Sequence, residues 1–331
     1  MGIISIRKIG TSKRSQIISC IEKAVLEKTL KKGDKLPSIN SIRNQFSVSR
    51  DTILNAYGEL KTRGVVQSIV GKGYYLIKEE VDTSHKIFLL FDEFNAFKQD
   101  LYNGFVSCLP PGVEVDIFFH HFSYEVFRST IVNNAGNYSY YVIMPANFQN
   151  TGLVVSCLPQ EKVYILDQRQ NDLKFFSGVY QDFERGIVEC LEKLKHRFAH
   201  YSRLVLVFDP TKQPAALLKG VQSFCLKNDV SLQVLESNKN IHLQKGFAYM
   251  TLEDVSLLRI IKQMKSKEMD LIDDIGIVAY NDTLLKEVVI DGITVISTNF
   301  EEMGKKLAKM LLKNSKERIE SSINLIKRKS I

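Results

Sequence analysis

The chain has 331 residues, 44% of them hydrophobic and 25% charged, which excludes a largely disordered protein and leaves room for two or three domains with their own cores. No run reaches the roughly 18 apolar residues of a membrane span, and the opening MGIISIRKIGTSKRSQ breaks its apolar residues with charges, which excludes a secretory signal; a cytoplasmic location without a membrane partner is expected. The net charge is +8, and its distribution is uneven: residues 1–80 hold 15 Lys+Arg against 7 Asp+Glu, while the remaining 251 hold 30 of each. A positive field confined to one quarter of the chain suits phosphate binding, because neutralised phosphates release counterions and the field draws a duplex in from a distance.

The first element, over 12–30, reads as an amphipathic helix with Ile17, Ile18, Ile21, Val25 and Leu26 in one stripe. Next, Pro37 fixes φ at the start of a second helix that Ser38 or Asn40 can cap, and Phe46-Ser47-Val48-Ser49 breaks that helix after about two turns. A third helix restarts at Ser49. Its Ile53, Ala56, Tyr57 and Leu60 fall at helical spacing, and Gly64 is placed to end it. Arg50, Asp51, Thr52 and Asn55 then face outward near its start, and with Ser38, Arg43 and Ser49 they form a polar surface that suits the major groove of double-stranded DNA. The segments 65–69 and 74–77 read as strands of a hairpin whose tip, Gly71-Lys72-Gly73, offers a lysine to a phosphate or the minor groove.

These residues resemble the winged helix-turn-helix of GntR-family bacterial regulators. The resemblance rests on Leu36-Pro37-Ser38, Val48-Ser49-Arg50, Thr52, Ala56-Tyr57, Leu60, Gly64 and Gly71-Lys72-Gly73, spread over some 45 residues. One position departs: Leu54 stands where many members carry an arginine. The resemblance implies an operator-binding transcriptional regulator.

The polar stretch 78–85 has no apolar periodicity and reads as a linker, giving a DNA-binding domain over 1–77 and a second domain over 86–331. In the latter, short β-rich runs at 87–91, 113–119, 140–144, 162–166, 204–208, 231–235, 247–250 and 275–280 alternate with helical stretches at 97–108, 183–196 and 215–228. That pattern predicts parallel α/β sheets in two lobes, and ligands in such sheets bind beyond the carboxyl ends of the strands. The residues directly after the strands are polar or aromatic: Asp92, Glu93, Phe94, Asn95 and Phe97; Asn147; Asp167 and Arg169; Asp182; Glu253 and Asp254; Tyr280, Asn281 and Asp282. Carboxylates and amides beside flat rings suit a monosaccharide, whose hydroxyls need polar partners and whose C–H faces need an apolar platform. The same positions also suit strand-end turns and helix caps.

This half is similar to the effector domain of LacI/GalR regulators and, through it, to periplasmic sugar-binding proteins. The residues concerned are Val179 to Gly186, Asp273 to Asp282, and Thr294 to Phe300 followed by Gly304. Two positions differ: Leu217 falls where that family has an arginine, and Glu253-Asp254 replaces an asparagine-aspartate pair. The combined fold class is α/β, an N-terminal winged helix-turn-helix plus a C-terminal two-lobed periplasmic-binding-protein-like domain, an arrangement shared with arabinose-responsive repressors. It implies a homodimeric repressor of a carbohydrate operon, with a monosaccharide between the lobes controlling operator affinity. A nucleobase or nucleotide sensor on the same fold, or a pyridoxal-phosphate aminotransferase-like regulator, is the alternative.

Chemistry-bearing motifs are otherwise sparse. Five cysteines lie 33 or more residues apart, without the close pairs of metal or redox motifs, and read as buried small hydrophobes. His120-His121 ends a strand and reads as surface, and so do His196 and His200. No Walker A, G-x-S-x-G or dinucleotide glycine pattern occurs. No cofactor, metal or catalytic residue is expected. The basic stretch 314–331 reads as a final strand or a solvated tail rather than a second DNA contact.

Overall fold

The computed structural model describes residues 3–6, 12–62, 64–77, 86–236 and 241–331, without the side chains of Leu26 and Thr62. The expected linker, 78–85, lies outside the described residues. The first domain contains α1 (Lys13–Leu26), α2 (Ile39–Phe46), α3 (Arg50–Thr62) and the antiparallel pair β1 (Val66–Ile69) and β2 (Gly73–Leu76). Each helix start has a hydroxyl cap: Ser12, Ser38 and Ser49 Oγ accept from the backbone N–H groups of Ser15, Ser41 and Thr52. α2 ends at Ser47 in the left-handed region at φ 51°, and Gly64 at φ 67° ends α3. The core between them holds Ile17, Ile21, Ile42, Ile53, Tyr57, Leu60 and Leu76, all at 1% exposure or less. Burying side chains of this size stabilises by about 1.5–3 kcal/mol each, which is what holds three short helices together.

From residue 86 the chain enters lobe 1, with β3 (Lys86–Phe91), α4 (Ala96–Ser107), β4 (Glu114–Phe119), α5 (Tyr124–Asn133), β5 (Tyr140–Ile143), α6 (Thr151–Val155), β6 (Val163–Asp167) and β7 (Ser177–Gln181). It crosses to lobe 2 for α7 (Phe183–Glu192), α8 (Lys195–Phe198), β8 (Arg203–Val207), α9 (Ala215–Lys227), β9 (Leu232–Leu235), β10 (Phe247–Thr251), α10 (Asp254–Ser266), β11 (Ile275–Tyr280), α11 (Leu284–Val288) and β12 (Thr294–Thr298). It returns for α12 (Phe300–Leu312) and β13 (Arg318–Ser321), then crosses a third time to β14 (Ile323–Ile326). The two six-stranded sheets have orders β13-β7-β6-β5-β3-β4 and β14-β12-β11-β10-β8-β9, parallel throughout except for β14 on β12.

The parallel sheets follow from strands that are apolar on both faces. In β3, Ile87, Leu89 and Phe91 pack with α4 and α12, while Phe88 and Leu90 pack with α5 and α6. α4 and α12 approach backbone to backbone: a Cβ on Gly104 would lie 2.1 Å from the Glu301 carbonyl oxygen, and one on Gly304 2.1 Å from that of Leu101. Only glycine fits at either place.

Several features depart from the sequence expectation. β7 follows β6 after nine residues whose only helix is one 3-10 turn, Asn171–Leu173, and its interior glycine (Gly178) obscures it as a strand. The single helix expected over 183–196 ends at Glu192 and restarts as α8. Of the two readings of 314–331 the strand holds and the tail does not: the segment supplies β13 and β14, and Ser330 Oγ donates to the Ile277 carbonyl at 2.6 Å with Ile331 buried. His120 is fully buried rather than on the surface, because the chain turns inward after β4 and its Nε2 meets the Met144 carbonyl at 3.1 Å among Phe122, Phe127 and Phe148. Of the cysteines, Cys190 and Cys225 are buried, but Cys157 is exposed on the turn after α6. No helix among the described residues is long and apolar enough to cross a membrane.

Candidate DNA interface and ligand cleft

Arg50, Asp51 and Asn55 are exposed on the first two turns of α3, and Arg43 is exposed on the last turn of α2. Ser49 and Thr52 hydroxyls lie 2.7 Å apart and cap the helix, so their first role is to fix where α3 starts. Ser38 does the same for α2. The wing turns through Gly71 at φ 74° and Gly73 at φ 111°, conformations that admit glycine without strain, and it exposes Lys72 and Val70 at its tip. Tyr57 ties the parts together: its hydroxyl donates to the Pro37 carbonyl at 2.6 Å, and its ring sits edge-on to Tyr74 of the wing at 4.8 Å. Leu54 is half-buried.

Between the lobes lies a cavity of about 340 Å³. Lobe 1 contributes Asp92, Glu93, Asn95, Phe97, Lys98, Phe122, Asp167, Gln168 and Phe300, and lobe 2 contributes Lys212, Gln213, Leu217, Glu253, Asp254, Tyr280, Asn281, Thr283 and Lys286. Phe97 and Phe300 stand 4.8 Å apart as a tilted pair. Gln181, at the first crossing, links the lobes chemically: its Nε2 donates to Asp167 Oδ1, and its Oε1 accepts from Tyr280 Oη at 3.2 Å and Thr298 Oγ1 at 2.6 Å. Burial raises the Asp167 carboxyl above the usual range, opposed by the Lys98 charge and the Gln181 hydrogen bond. Burial likewise lowers Lys98 to about 8, with the Asp167 charge opposing it. Lys98 also makes an ion pair with Asp92.

Three lining residues, Phe122, Asp167 and Asn281, have positive φ, a conformation that costs non-glycine residues free energy. Two contacts cross the mouth. Asn147 Nδ2 donates to the Pro210 and Gln213 carbonyls at 3.2 and 2.5 Å, and Lys212 Nζ lies 5.8 Å from the Phe122 ring centre.

Residues 13–76 match the model of the gntR family of bacterial regulatory proteins. The winged domain belongs to that family. Over 101 residues the chain is 29% identical to the transcriptional repressor YtrA of Bacillus subtilis, covering 30% of this chain and 74% of YtrA. Over 63 residues it is 36% identical to the arabinose metabolism transcriptional repressor of Geobacillus stearothermophilus, covering 18% of this chain and 17% of that one. Four such relatives, the arabinose repressor among them, are matched over only 15–36% of their own length. The two-lobed fold is that of LacI-type regulators. The trehalose repressor of Escherichia coli superposes with a TM-score of 0.60 at 12% identity, over 74% of this chain and all of that one. A LacI family regulator of Enterococcus faecium with bound ribose gives 0.60 at 16% identity, over 74% and 98%.

In the GntR domain, every residue singled out from the sequence lies on the capped ends of α2 and α3 or on the wing. Lys61, whose Nζ donates to Ser68 Oγ at 3.1 Å, and Lys35, exposed beside Tyr75, add to the basic surface and were not singled out. In the cleft, Asp92, Glu93, Asn95, Phe97, Asp167, Glu253, Asp254, Tyr280 and Asn281 come together. The other five are placed outside the lining. Phe94 packs outward against Phe119, Asn147 is spent on the lobe-to-lobe bridge, Arg169 faces Glu320 at 3.8 Å, Asp182 caps α7, and Asp282 holds Arg328 through two 2.8 Å bonds. Lys98, Phe122, Lys212, Gln213, Lys286 and Phe300 line the cavity without having been foreseen. Lys98 and Phe300 lie in the first turns of α4 and α12, so the positions just inside a helix that follows a strand were the missed signal.

Proposed function

We propose that the chain is a cytoplasmic, homodimeric transcriptional regulator, not an enzyme, whose GntR domain over 1–77 binds operator DNA and whose domain over 86–331 senses a monosaccharide. The observation that carries the ligand half is the cleft itself. Its aromatic pair Phe97 and Phe300 faces a ring of carboxylates and amides drawn from both lobes, the combination a sugar's faces and hydroxyls require. The sugar-related names and bound ribose among the similar proteins support the same reading.

For DNA, the exposed start of α3 and the Lys72 wing supply groove and phosphate contacts, and two copies of so short a recognition surface reach two half-sites about one helical turn apart. A ligand that prefers the lobe arrangement bridged by Asn147 shifts operator affinity by its difference in affinity for the two arrangements, and by no more.

A thermal-shift screen of monosaccharides against nucleobases tests the ligand class, since a compound at 100 times its dissociation constant adds about 2.7 kcal/mol to folded-state stability. Stabilisation by a monosaccharide is expected. Stabilisation by a nucleobase with none by any sugar overturns the sugar reading.

A further inference from the structure

The charges of the cleft narrow the ligand further, an inference that rests on the sugar reading above. Three cations line the cavity, and each already ends on a carboxylate: Lys98 on Asp92, Lys212 on Glu253 at 3.5 Å and Lys286 on Asp254 at 2.6 Å. Lys98 and Lys286 are 5% and 2% exposed, and Lys286 also donates to the Asn281 carbonyl at 2.7 Å. Among the described residues no arginine lines the cavity, and Leu217 contributes an apolar wall.

Five carboxylates face these three lysines. Among the described residues, Glu93 and Asp167 have no cation within 4 Å; Glu93 accepts only from Asn95 Nδ2, at 3.3 Å, and Asp167 only from Gln181. A separate observation points the same way: Asn281, which lines the cavity and is 8% exposed, has a buried side-chain Oδ1 that no donor reaches. The unmatched groups are therefore acceptors, and the five carboxylates outnumber the three lysines. A phosphate or carboxylate would add acceptors and charge of the same sign, and it could recruit Lys98 only by stranding the buried Asp92 carboxylate or Lys286 only by breaking its pair with Asp254.

We propose that the cleft takes a polyhydroxy compound without phosphate or carboxylate, and that it prefers one bearing an ammonium group directed at Glu93 and Asp167. The neutral hydroxyls fill the acceptors, and the ammonium supplies the missing charge through charge-assisted bonds stronger than neutral ones.

The test is a set of matched probes titrated against the full chain by thermal shift: glucose, glucosamine and glucose 6-phosphate; galactose, galactosamine and galactose 6-phosphate; ribose and ribose 5-phosphate; adenosine and its 5'-monophosphate. In the set that binds, the amino member is expected to bind about tenfold more tightly than its neutral parent, the effect of one strengthened hydrogen bond. The phosphorylated member is expected to give no shift. Glu93→Gln, at a half-exposed position, and Asp167→Asn should each bring the ratio of the amino member's affinity to that of its neutral parent down to about one, whatever either change does to the neutral sugar's own affinity. A phosphorylated sugar that binds as well as its parent, or an amino sugar that binds more weakly, overturns the proposal and leaves the sugar reading intact. A shift with adenosine alone overturns the sugar reading, and the monophosphate then decides the charge rule on its own. A panel with no shift anywhere overturns both.

Discussion

The GntR domain and the cleft solve opposite problems with the same chain. The DNA surface comes from one contiguous stretch, with helix starts capped by their own serines and a wing turned by its own glycines. Its geometry is local, and the basic residues project from it into solvent. The cleft is assembled from the ends of many strands and helices spread from Asp92 to Phe300, and its charges are matched inward, each lysine against a carboxylate. One surface presents its charge to solvent, and the other holds most of its charges against one another.

The largest expected effect separates the two regions. Tyr57→Ala removes a fully buried ring and its bond to Pro37, and should cost about 3–5 kcal/mol, enough to unfold the GntR domain alone. Calorimetry should then lose the transition of that domain and keep the larger one; a matching fall in both would mean the domains fold as one unit.

Acid should act on the other side. Burial pushes His120 down from 6.5 to about 4, so the unfolded chain holds a proton that the folded one does not. The resulting stability is present above 6.5 and lost as pH falls towards 4, on the order of 3 kcal/mol in all. Urea midpoints for wild type and His120→Gln, taken at pH 7 and pH 4.5, should converge in acid as the wild type loses this contribution. The GntR domain contains no histidine and has no such term in this window. Equal pH dependence in the two proteins would remove His120 as the cause.

Two smaller effects probe the DNA surface. Arg50→Ala should weaken operator binding by about 1–3 kcal/mol if the guanidinium reads a guanine, and a gel-shift titration with unchanged affinity would refute that role. Lys72→Ala should weaken all sequences alike and reduce the salt slope by about one, as loss of a phosphate contact does. A sequence-selective loss would instead make the wing a base reader.

This contrast also explains what the sequence disclosed. Helix starts, the break at Ser47 and the wing turn depend on neighbours in sequence, so reading 12–77 in order recovered them. The two-lobed α/β pattern was legible because its strands are continuous apolar runs. The cleft was legible where strand ends supply the group, as at Asp92, Asp167 and Tyr280. It was not legible where a distant partner decides. Asp282 resembles a ligand contact until Arg328, 46 residues on, is seen to hold both its oxygens, and Arg169 is turned away by Glu320. Lys98 was hidden because a lysine in a first helical turn reads as solvated, and only the fold shows it buried against Asp92.

The glycine contact between α4 and α12 has a mechanical consequence. Both helices begin at the cavity, one with Phe97 and the other with Phe300, and neither can slide over the other without lifting a carbonyl clear of a backbone that has no room to spare. They form one stiff lever with two aromatic fingertips. The two rings therefore keep their spacing when the helices move, and the far end of α4 lies about 18 Å away by the rise of a 12-residue helix.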